Sequence, residues 1–216
     1  MLKKLPKIFN VKKIFFLIIF IIPFQNLSLA NDIQDFQIEG MSIGDSALEY
    51  FGETQLEDNE QGWHNYSYKE YSTSLMPGRG IYDWFLVTYK SDDYNFKIEA
   101  LVAGLEKTDY DNKACNSKLD TAALNMSGLF KNTKQENKKI YELTADASRI
   151  YPFTGKSIVT SISFDFQDEG KIILACYNMD KKNNENTSLL ISTLNLNDSF
   201  RINIRSRVFV NYLKKD

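Results

Sequence analysis

The chain has little of the chemistry on which most metal and nucleophilic sites depend. It contains one histidine, His64, and two cysteines among 216 residues, too few imidazoles and thiols for a structural zinc site. Asp109-x-Asp111 lacks the rest of an EF-hand loop, and no glycine-rich phosphate-binding loop occurs. The sequence therefore predicts no catalytic residue, no metal site and no cofactor.

Positive charge is also scarce outside the N-terminal segment. The formal net charge is −2, from 26 basic and 28 acidic residues. Residues 1–30 hold five of the lysines and no acidic residue, so residues 31–216 carry a net charge of −7. Nucleic-acid binding needs a positive footprint, and anionic lipid attracts basic clusters. The charge therefore argues against nucleic acid and against anionic membrane surfaces as partners.

Long apolar runs are missing except near the N terminus. Several lysines precede the apolar run 14–22, and the segment ends Ser28-Leu29-Ala30. This pattern is typical of a cleaved secretory signal. A membrane-spanning helix needs about 20 apolar residues, so the run suits an uncleaved anchor, the alternative, less well. We expect a signal peptide at residues 1–30 and one domain at residues 31–216, periplasmic or secreted from a bacterium, with no membrane span after cleavage.

The two cysteines, Cys115 and Cys176, form a minimal pair. In an oxidising compartment one such pair predicts a single disulfide bond. The alternatives are two buried free thiols or a redox pair, although a redox pair is usually spaced Cys-x-x-Cys. Cys115 falls on the apolar side of a predicted helix and Cys176 on a predicted strand, so the bond is expected to join helix to sheet.

Two periodicities divide the remaining chain into strands and helices. Apolar residues recur at steps of three and four over residues 109–131, which indicates an amphipathic helix. A Ser-x-x-Glu capping box opens a shorter predicted helix at residues 46–51. We therefore expect an α+β fold, with a largely antiparallel sheet of five to seven strands and the main helix packed on one face. The predicted strands cover residues 66–72, 81–89, 94–103, 139–147, 157–166, 171–178 and 189–194.

The turn Asp168-Glu169-Gly170 makes a sharper prediction. A three-residue loop with Gly170 in the left-handed region would pair Gln167 with Lys171. That register places Cys176 on the apolar face of its hairpin, whereas a shift of one residue would place it among serines.

Three other segments give coarser predictions. Residues 76–80 (MPGRG) indicate a turn, and Ser91-Asp92-Asp93 indicates the loop of another hairpin. Residues 53–65 are acidic and polar, which predicts a surface loop. Residues 201–213 mix strand and helix periods, so the sequence does not decide between the two.

Aromatic side chains crowd the region of the first predicted hairpin. Trp63, Tyr82, Trp84 and Tyr89 lie in it or beside it. Aromatic residues on a hairpin can bind carbohydrate or protein, but they also fill cores and pair across strands. The four residues define a candidate binding face, and burial in the core is the alternative.

One serine motif suggests a different class of function. Ser42 lies in Gly-x-Ser-x-Gly, the pattern of the serine-hydrolase nucleophile elbow. That mechanism needs a buried strand before the serine, a helix after it, and then an acid and a histidine. His64 follows only 22 residues later, which leaves no room for a parallel sheet. A turn explains the motif better, and the alternative is a hydrolase of unusual type that uses Ser42 or a carboxylate pair.

Four features carry a resemblance. They are the opening FQIEGMSIGDSALEYF, the helix bearing Cys115, Thr154-Gly155-Lys156 before an alternating strand, and the ILACY strand bearing Cys176. Together they resemble a group of small exported proteins of unassigned function from marine alphaproteobacteria with AT-rich genomes. The resemblance covers most of residues 31–216. It implies a signal, a short N-terminal helix, a sheet and one disulfide-linked helix, and it implies no active site.

Export without a usable catalytic constellation favours a protein that is not an enzyme. We expect a periplasmic binding or envelope-accessory protein, whose partner is an unknown small ligand or an envelope protein. Besides the hydrolase, the alternative is an inert structural or interaction protein whose aromatic hairpin meets a partner. That alternative needs an exposed apolar patch of more than a few hundred Å².

Export and pairing of the cysteines predict the mass of the mature protein. Native, non-reduced mass spectrometry of protein from the periplasm of an expressing cell should give Asn31–Asp216 less two hydrogens, because a signal peptidase reads the small residues before Asn31. A full-length mass recovered only from membranes would contradict cleavage. A mass two hydrogens heavier would contradict the disulfide.

Overall fold

The computed structural model describes residues 32–61, 70–106, 112–143, 157–178 and 199–214. The strands in these ranges are β1 (Tyr71–Pro77), β2 (Trp84–Lys90), β3 (Ala100–Glu106), β4 (Lys134–Gln135), β5 (Lys139–Leu143), β6 (Ser157–Asp165), β7 (Lys171–Asn178) and β8 (Ser199–Arg205). The α-helices are α1 (Glu53–Asp58), α2 (Asn112–Leu129) and α3 (Arg207–Leu213), and short 3-10 helices cover Ile33–Asp35 and Ala47–Glu49.

The eight strands form one sheet, in which every pairing is antiparallel. The α+β class and the largely antiparallel sheet are thus confirmed, but the prediction of five to seven strands is too low. β4 has only two residues, both exposed, and therefore gives no hydrophobic alternation to recognise. β8 begins two residues before the segment of mixed period, at Ser199.

The strand order puts the last strand near the middle of the sheet. β1, β2 and β3 are neighbours in sequence and in space, and β8 lies between β3 and β7. β6 follows β7, and both β4 and β5 pair with β6. β8 therefore joins the N-terminal strands to the C-terminal ones, with hydrogen bonds along both of its edges.

Alternation along the strands gives the sheet two unlike faces. We call the side that carries Phe200, Ile202 and Ile204 of β8 the inner face, and the side that carries Arg201 and Asn203 the outer face. One hydrophobic cluster joins the inner face to α2 and to apolar residues between 33 and 56. No outer-face strand residue belongs to that cluster. The main core is therefore a single layer of contacts on one side of the sheet.

A disulfide bond between Cys115 and Cys176 fixes α2 to β7, as predicted. The two Cα atoms are 5.9 Å apart, and both cysteines are buried on the inner face. α2 contacts β6, β7 and β8, and its buried side carries Leu119, Ala123 and Met126. The bond thus joins covalently two elements that already share the core.

The hairpin of β6 and β7 has the predicted faces but a different register. Asp165, not Gln167, pairs with Lys171, so the predicted pairing is wrong by two residues. Because side chains alternate with a period of two, this shift keeps Cys176 on the apolar face.

The loop of this hairpin uses its glycine for a different purpose from the predicted one. Glu169 adopts the left-handed region with a φ of 67°, and Gly170 does not. A Cβ atom at position 170 would lie 2.8 Å from the side chain of Ile33. Gly170 is therefore required by the close approach of the N-terminal segment, which no local turn signal reveals.

The N-terminal helix is shorter than predicted. Ser46 Oγ accepts a backbone N–H at 3.3 Å and starts a three-residue 3-10 helix, not a helix over residues 46–51. Gly52, at the expected end, instead precedes α1, in a region predicted as a loop (residues 53–65). Leu56 of α1 is fully buried, which explains why this acidic segment folds against the core.

Two turns also differ from the prediction. β1 continues further than expected, so the turn predicted at residues 76–80 begins at Gly78. Residues 91–99 connect β2 to β3, a longer loop than Ser91-Asp92-Asp93. The carboxylate of Asp93 accepts two N–H groups of this loop, at 3.0 and 3.2 Å, which stabilises the wider turn.

The C-terminal segment of mixed period contains one element of each kind. Ser206 ends the strand run and caps α3, where its Oγ accepts a hydrogen bond from Phe209 N at 3.1 Å. The same hydroxyl donates to the buried carboxylate of Glu99. Phe209 packs edge-on against Tyr71, with ring centroids 5.1 Å apart, so α3 lies over one end of the outer face.

Several sequence predictions fall outside the described residues. They concern the signal segment, Trp63, His64, Thr154-Gly155-Lys156 and the strand at residues 189–194. Within the described ranges, no helix has the length and apolar character needed to cross a membrane.

Removal of the disulfide should destabilise the fold strongly. The bond closes a loop of 61 residues, which in the chain-entropy model stabilises the native state by about 4 kcal/mol. We expect the Cys115→Ala/Cys176→Ala variant to unfold at lower urea concentration, with a loss of that order. Wild-type protein in reducing agent is the matched control. Equal midpoints for oxidised protein and the variant would contradict this account.

Candidate functional site

The described members of the predicted aromatic binding face do not share one surface. Tyr89 is buried on the inner face and forms a 2.9 Å hydrogen bond with Ser74 Oγ. Tyr82 is half-buried and packs against Phe85 of the core, with ring centroids 5.9 Å apart. Trp84 lies on the outer face, since it pairs with Gly104 in the register of β2 and β3. Of the three, Trp84 alone is placed for contact with a ligand on the outer face.

Ser42 is buried in a turn. Its exposed fraction is 5%, and its backbone N–H donates to Asp45 Oδ2 at 2.8 Å. Its Oγ is fully buried and has no hydrogen-bond partner among the described residues. Tyr50 OH donates to the same Asp45 oxygen at 2.9 Å, and burial together with Asp45 raises the pKa of Tyr50 to about 12. Asp45 therefore organises the turn, and Ser42 Oγ has no base beside it in the described residues.

Among the described residues, the carboxylates of Asp32 and Asp168 come together where the N-terminal segment meets the loop between β6 and β7. Burial raises the pKa of Asp168, and a hydrogen bond with Asp32 raises it further. Asp32 Oδ1 accepts from Gln34 N at 3.1 Å, and Asp168 Oδ1 accepts from Gly170 N at 3.0 Å. Both carboxylates thus have local structural roles, in a helix cap and a hairpin loop.

The outer face brings together a group of residues that the sequence analysis did not single out. The register places Trp84, Gly104, Arg201 and Ala175 side by side on four neighbouring strands. The next row contains Glu106, Ser199 and Tyr177 on the three central strands. We call Trp84, Glu106, Tyr177, Ser199 and Arg201 the Arg201 cluster.

Arg201 lies at the centre of this cluster and is nearly inaccessible, with 5% of its surface exposed. Its guanidinium carbon is 3.8 Å from the ring centroid of Tyr177 and 5.2 Å from that of Trp84. Its Nε donates to Ser199 Oγ at 3.0 Å. Among the described residues no carboxylate lies within 4 Å of it, and its terminal nitrogens make no hydrogen bond.

Small residues on both sides of Arg201 make room for the rings. A Cβ atom at Gly104 would lie 2.2 Å from two carbons of the Trp84 indole, so only glycine allows the ring to cover β3 here. Ala175, on the other neighbouring strand, is also small and buried. The indole is fixed in turn by Glu106, whose Oε1 accepts from Trp84 Nε1 at 2.7 Å.

Glu106 is the acidic member of the cluster. Burial raises the pKa of its carboxyl group, whereas the Trp84 hydrogen bond and the charge of Arg201 act in the opposite direction. Asp83 Oδ2 accepts from the Glu106 backbone N–H at 2.6 Å, which anchors the end of β3. Glu106 therefore compensates part of the Arg201 charge through space, without an ion pair.

Two lysines of the outer face have direct acidic partners. Lys171 Nζ lies 3.0 Å from Asp165, and Lys139 Nζ lies 2.8 Å from Glu136. Hydrogen bonds from Lys139 and Ser163 lower the pKa of Glu136 to about 2. Arg201 differs from these lysines because it is more deeply buried and no carboxylate of the described residues forms an ion pair with it.

The sequence contains a pattern that indicates the outer-face position of Arg201 but was not recognised as a strand. Arg201, Asn203 and Arg205 alternate with Phe200, Ile202 and Ile204, which is the pattern of a strand with one polar face. Helical spacing in the following residues obscured that pattern. No group of three or more metal-ligating side chains occurs in the part of the chain that the structure describes.

Comparison with known proteins gives no relative from which a role could be transferred. No protein family, no curated protein and no solved structure matches the chain. The resemblance to small exported proteins therefore stays a prediction.

Replacement of Ser42 provides a test of its role. A buried hydroxyl without a partner costs about 1–3 kcal/mol, so Ser42→Ala should leave the free energy of unfolding unchanged or raise it. Ser74→Ala is the matched control. Ser74 Oγ donates to Leu56 O at 2.6 Å, so its removal should lower the free energy of unfolding. Urea unfolding compares the two variants. A loss in Ser42→Ala as large as that in Ser74→Ala would show that the Ser42 hydroxyl has a partner.

Proposed function

We propose that this chain is an exported, non-enzymatic binding protein of the bacterial periplasm, and that the Arg201 cluster holds its ligand. The observation that carries the proposal is the Arg201 guanidinium, which is buried between Trp84 and Tyr177 without an ion-pair partner in the described residues. Ligand sites typically combine apolar walls with a few polar groups in fixed positions.

The energetics of Arg201 support a role in binding. Removal of a charged group from water costs several kcal/mol, which an ion pair with good geometry can offset. Cation–π contacts contribute about 0.5–2 kcal/mol each, so the two rings offset the cost only in part. An anionic or strongly polar ligand would supply the missing interactions. Arg201 is thus less well satisfied in the free protein than it would be in a complex.

Export is supported by two independent features. Residues 1–30 have the pattern of a secretory signal, and the Cys115–Cys176 bond suits an oxidising compartment. A disulfide that fixes α2 also stiffens β7, the strand that carries Tyr177. A rigid platform of this kind lowers the entropy cost of binding a ligand.

Substitution of Arg201 by methionine separates a binding role from a structural one. Loss of one partner from a buried ion pair costs about 3–5 kcal/mol, but Arg201 has no ion-pair partner among the described residues. We therefore expect Arg201→Met to unfold within about 1 kcal/mol of the wild type in urea, because the lost cation–π contacts and the removed desolvation cost largely offset each other.

The same variant should lose the bound ligand. Native mass spectrometry of periplasmic wild-type protein should show a retained mass that Arg201→Met lacks. Arg205→Met is the matched control, since it changes an arginine on the same strand and face but outside the cluster, and it should keep the retained mass. A loss of several kcal/mol in Arg201→Met would contradict the proposal, as would equal retention of ligand by both variants.

A further inference from the structure

The hydrogen-bonding capacity of Arg201 restricts the ligand chemistry. Nε already donates to Ser199 Oγ at 3.0 Å, which fixes the plane of the guanidinium. The terminal nitrogens, Nη1 and Nη2, make no hydrogen bond to the described residues. Two parallel donors on a fixed plane match the two oxygens of a planar oxyanion.

The charge around Arg201 favours a single negative charge on the ligand. Glu106 lies close enough to interact electrostatically with Arg201, although it is beyond ion-pair distance. Glu106 compensates only part of the Arg201 charge, so a ligand with one negative charge can neutralise the positive charge that is left. A dianion such as phosphate would place a second negative charge near Glu106 in a poorly solvated site, where like charges repel strongly. A monoanion avoids that cost.

The walls of the cluster favour an apolar group behind the anion. Tyr177 and Trp84 flank the guanidinium at 3.8 and 5.2 Å, and the neighbouring positions on the outer face are Gly104 and Ala175. Rings and small residues offer contact surface without competing hydrogen bonds. An organic group attached to the oxyanion can therefore pack beside them.

We propose that the Arg201 cluster binds the carboxylate of a small organic acid with a single negative charge, through Nη1 and Nη2 of Arg201. This inference rests on the proposed function and specifies its ligand class. Arg201 is the residue that determines specificity, Ser199 is a positioning residue for its plane, and Trp84 and Tyr177 form the walls.

The test adds three small molecules, one at a time, to the mature protein. Benzoate and benzamide are similar in size, and inorganic phosphate is smaller. Benzoate offers a carboxylate on an apolar group, benzamide has the same shape without the charge, and inorganic phosphate has the greater charge. A Trp63→Phe background leaves Trp84 as the only tryptophan, so its fluorescence reports on the cluster. Benzoate should change that fluorescence and raise the melting temperature in a saturable manner, whereas the other two probes should do neither.

Variants assign the effect to Arg201. Arg201→Met should abolish the response to benzoate, and Arg201→Lys should weaken it at least tenfold, because lysine keeps the charge but loses the paired donors. Arg205→Met should respond like the background protein. A benzoate response that survives Arg201→Met would overturn the inference.

The outcomes also distinguish failure of the ligand class from failure of the binding function. If phosphate or benzamide binds better than benzoate and Arg201→Met abolishes that response, the carboxylate assignment is wrong but the binding site remains. If no probe changes the fluorescence, the carboxylate assignment is wrong. If Arg201→Met also loses more than about a hundredfold in its folding equilibrium relative to Arg205→Met, the arginine is structural and both proposals fail.

Discussion

The structure depends on the antiparallel pairing of β8 with β3 on one side and β7 on the other. This pairing joins two halves of the sheet that are remote in sequence, and it aligns Phe200, Ile202 and Ile204 with the core. Because side chains alternate along β8, Arg201 must then lie on the outer face. A long cationic side chain in the centre of a sheet has neighbours on every side, which is why it is buried although it lies opposite the core.

The inner face and the Arg201 cluster are linked through β7. Cys176 holds α2 on the inner face, and the next residue, Tyr177, lies on the outer face against the guanidinium of Arg201. The covalent bond on one side therefore limits the movement of the ring on the other. Positions that hold a binding group within narrow limits are generally built on elements fixed in this way.

The sequence predicted the elements that depend on local pattern. The face of Cys176 follows from alternation, so it survived a register error of two residues. Gly170 lies in the predicted loop, but the predicted reason was wrong. Glycine is required there because the side chain of Ile33, more than a hundred residues earlier in the chain, leaves no room for a Cβ atom. A contact between residues so far apart in the sequence cannot be inferred from the residues around either one.

The candidate site was harder to predict, for two physical reasons. Trp84 and Tyr89 lie five residues apart on one strand, an odd separation that puts them on opposite faces, and the grouping of aromatic residues by sequence proximity ignored this parity. Contact between Trp84 and Gly104 depends on the register across the long loop of residues 91–99, which turn rules for short hairpins do not give. The neighbours of Arg201 follow from the position of β8 between β3 and β7, which the local sequence does not determine.

The central claim is that Arg201 is buried with one N–H donor bonded to Ser199 and with four N–H donors that no described residue accepts. NMR spectroscopy of protein labelled with ¹³C and ¹⁵N in arginine measures this directly, through solvent exchange of the Hε and Hη protons. The account predicts slow exchange for Hε of Arg201, which bonds to Ser199, and fast exchange for its Hη protons until a carboxylate is added. Slow exchange of the Hη protons in the ligand-free protein would reveal a partner within the fold and would contradict the account.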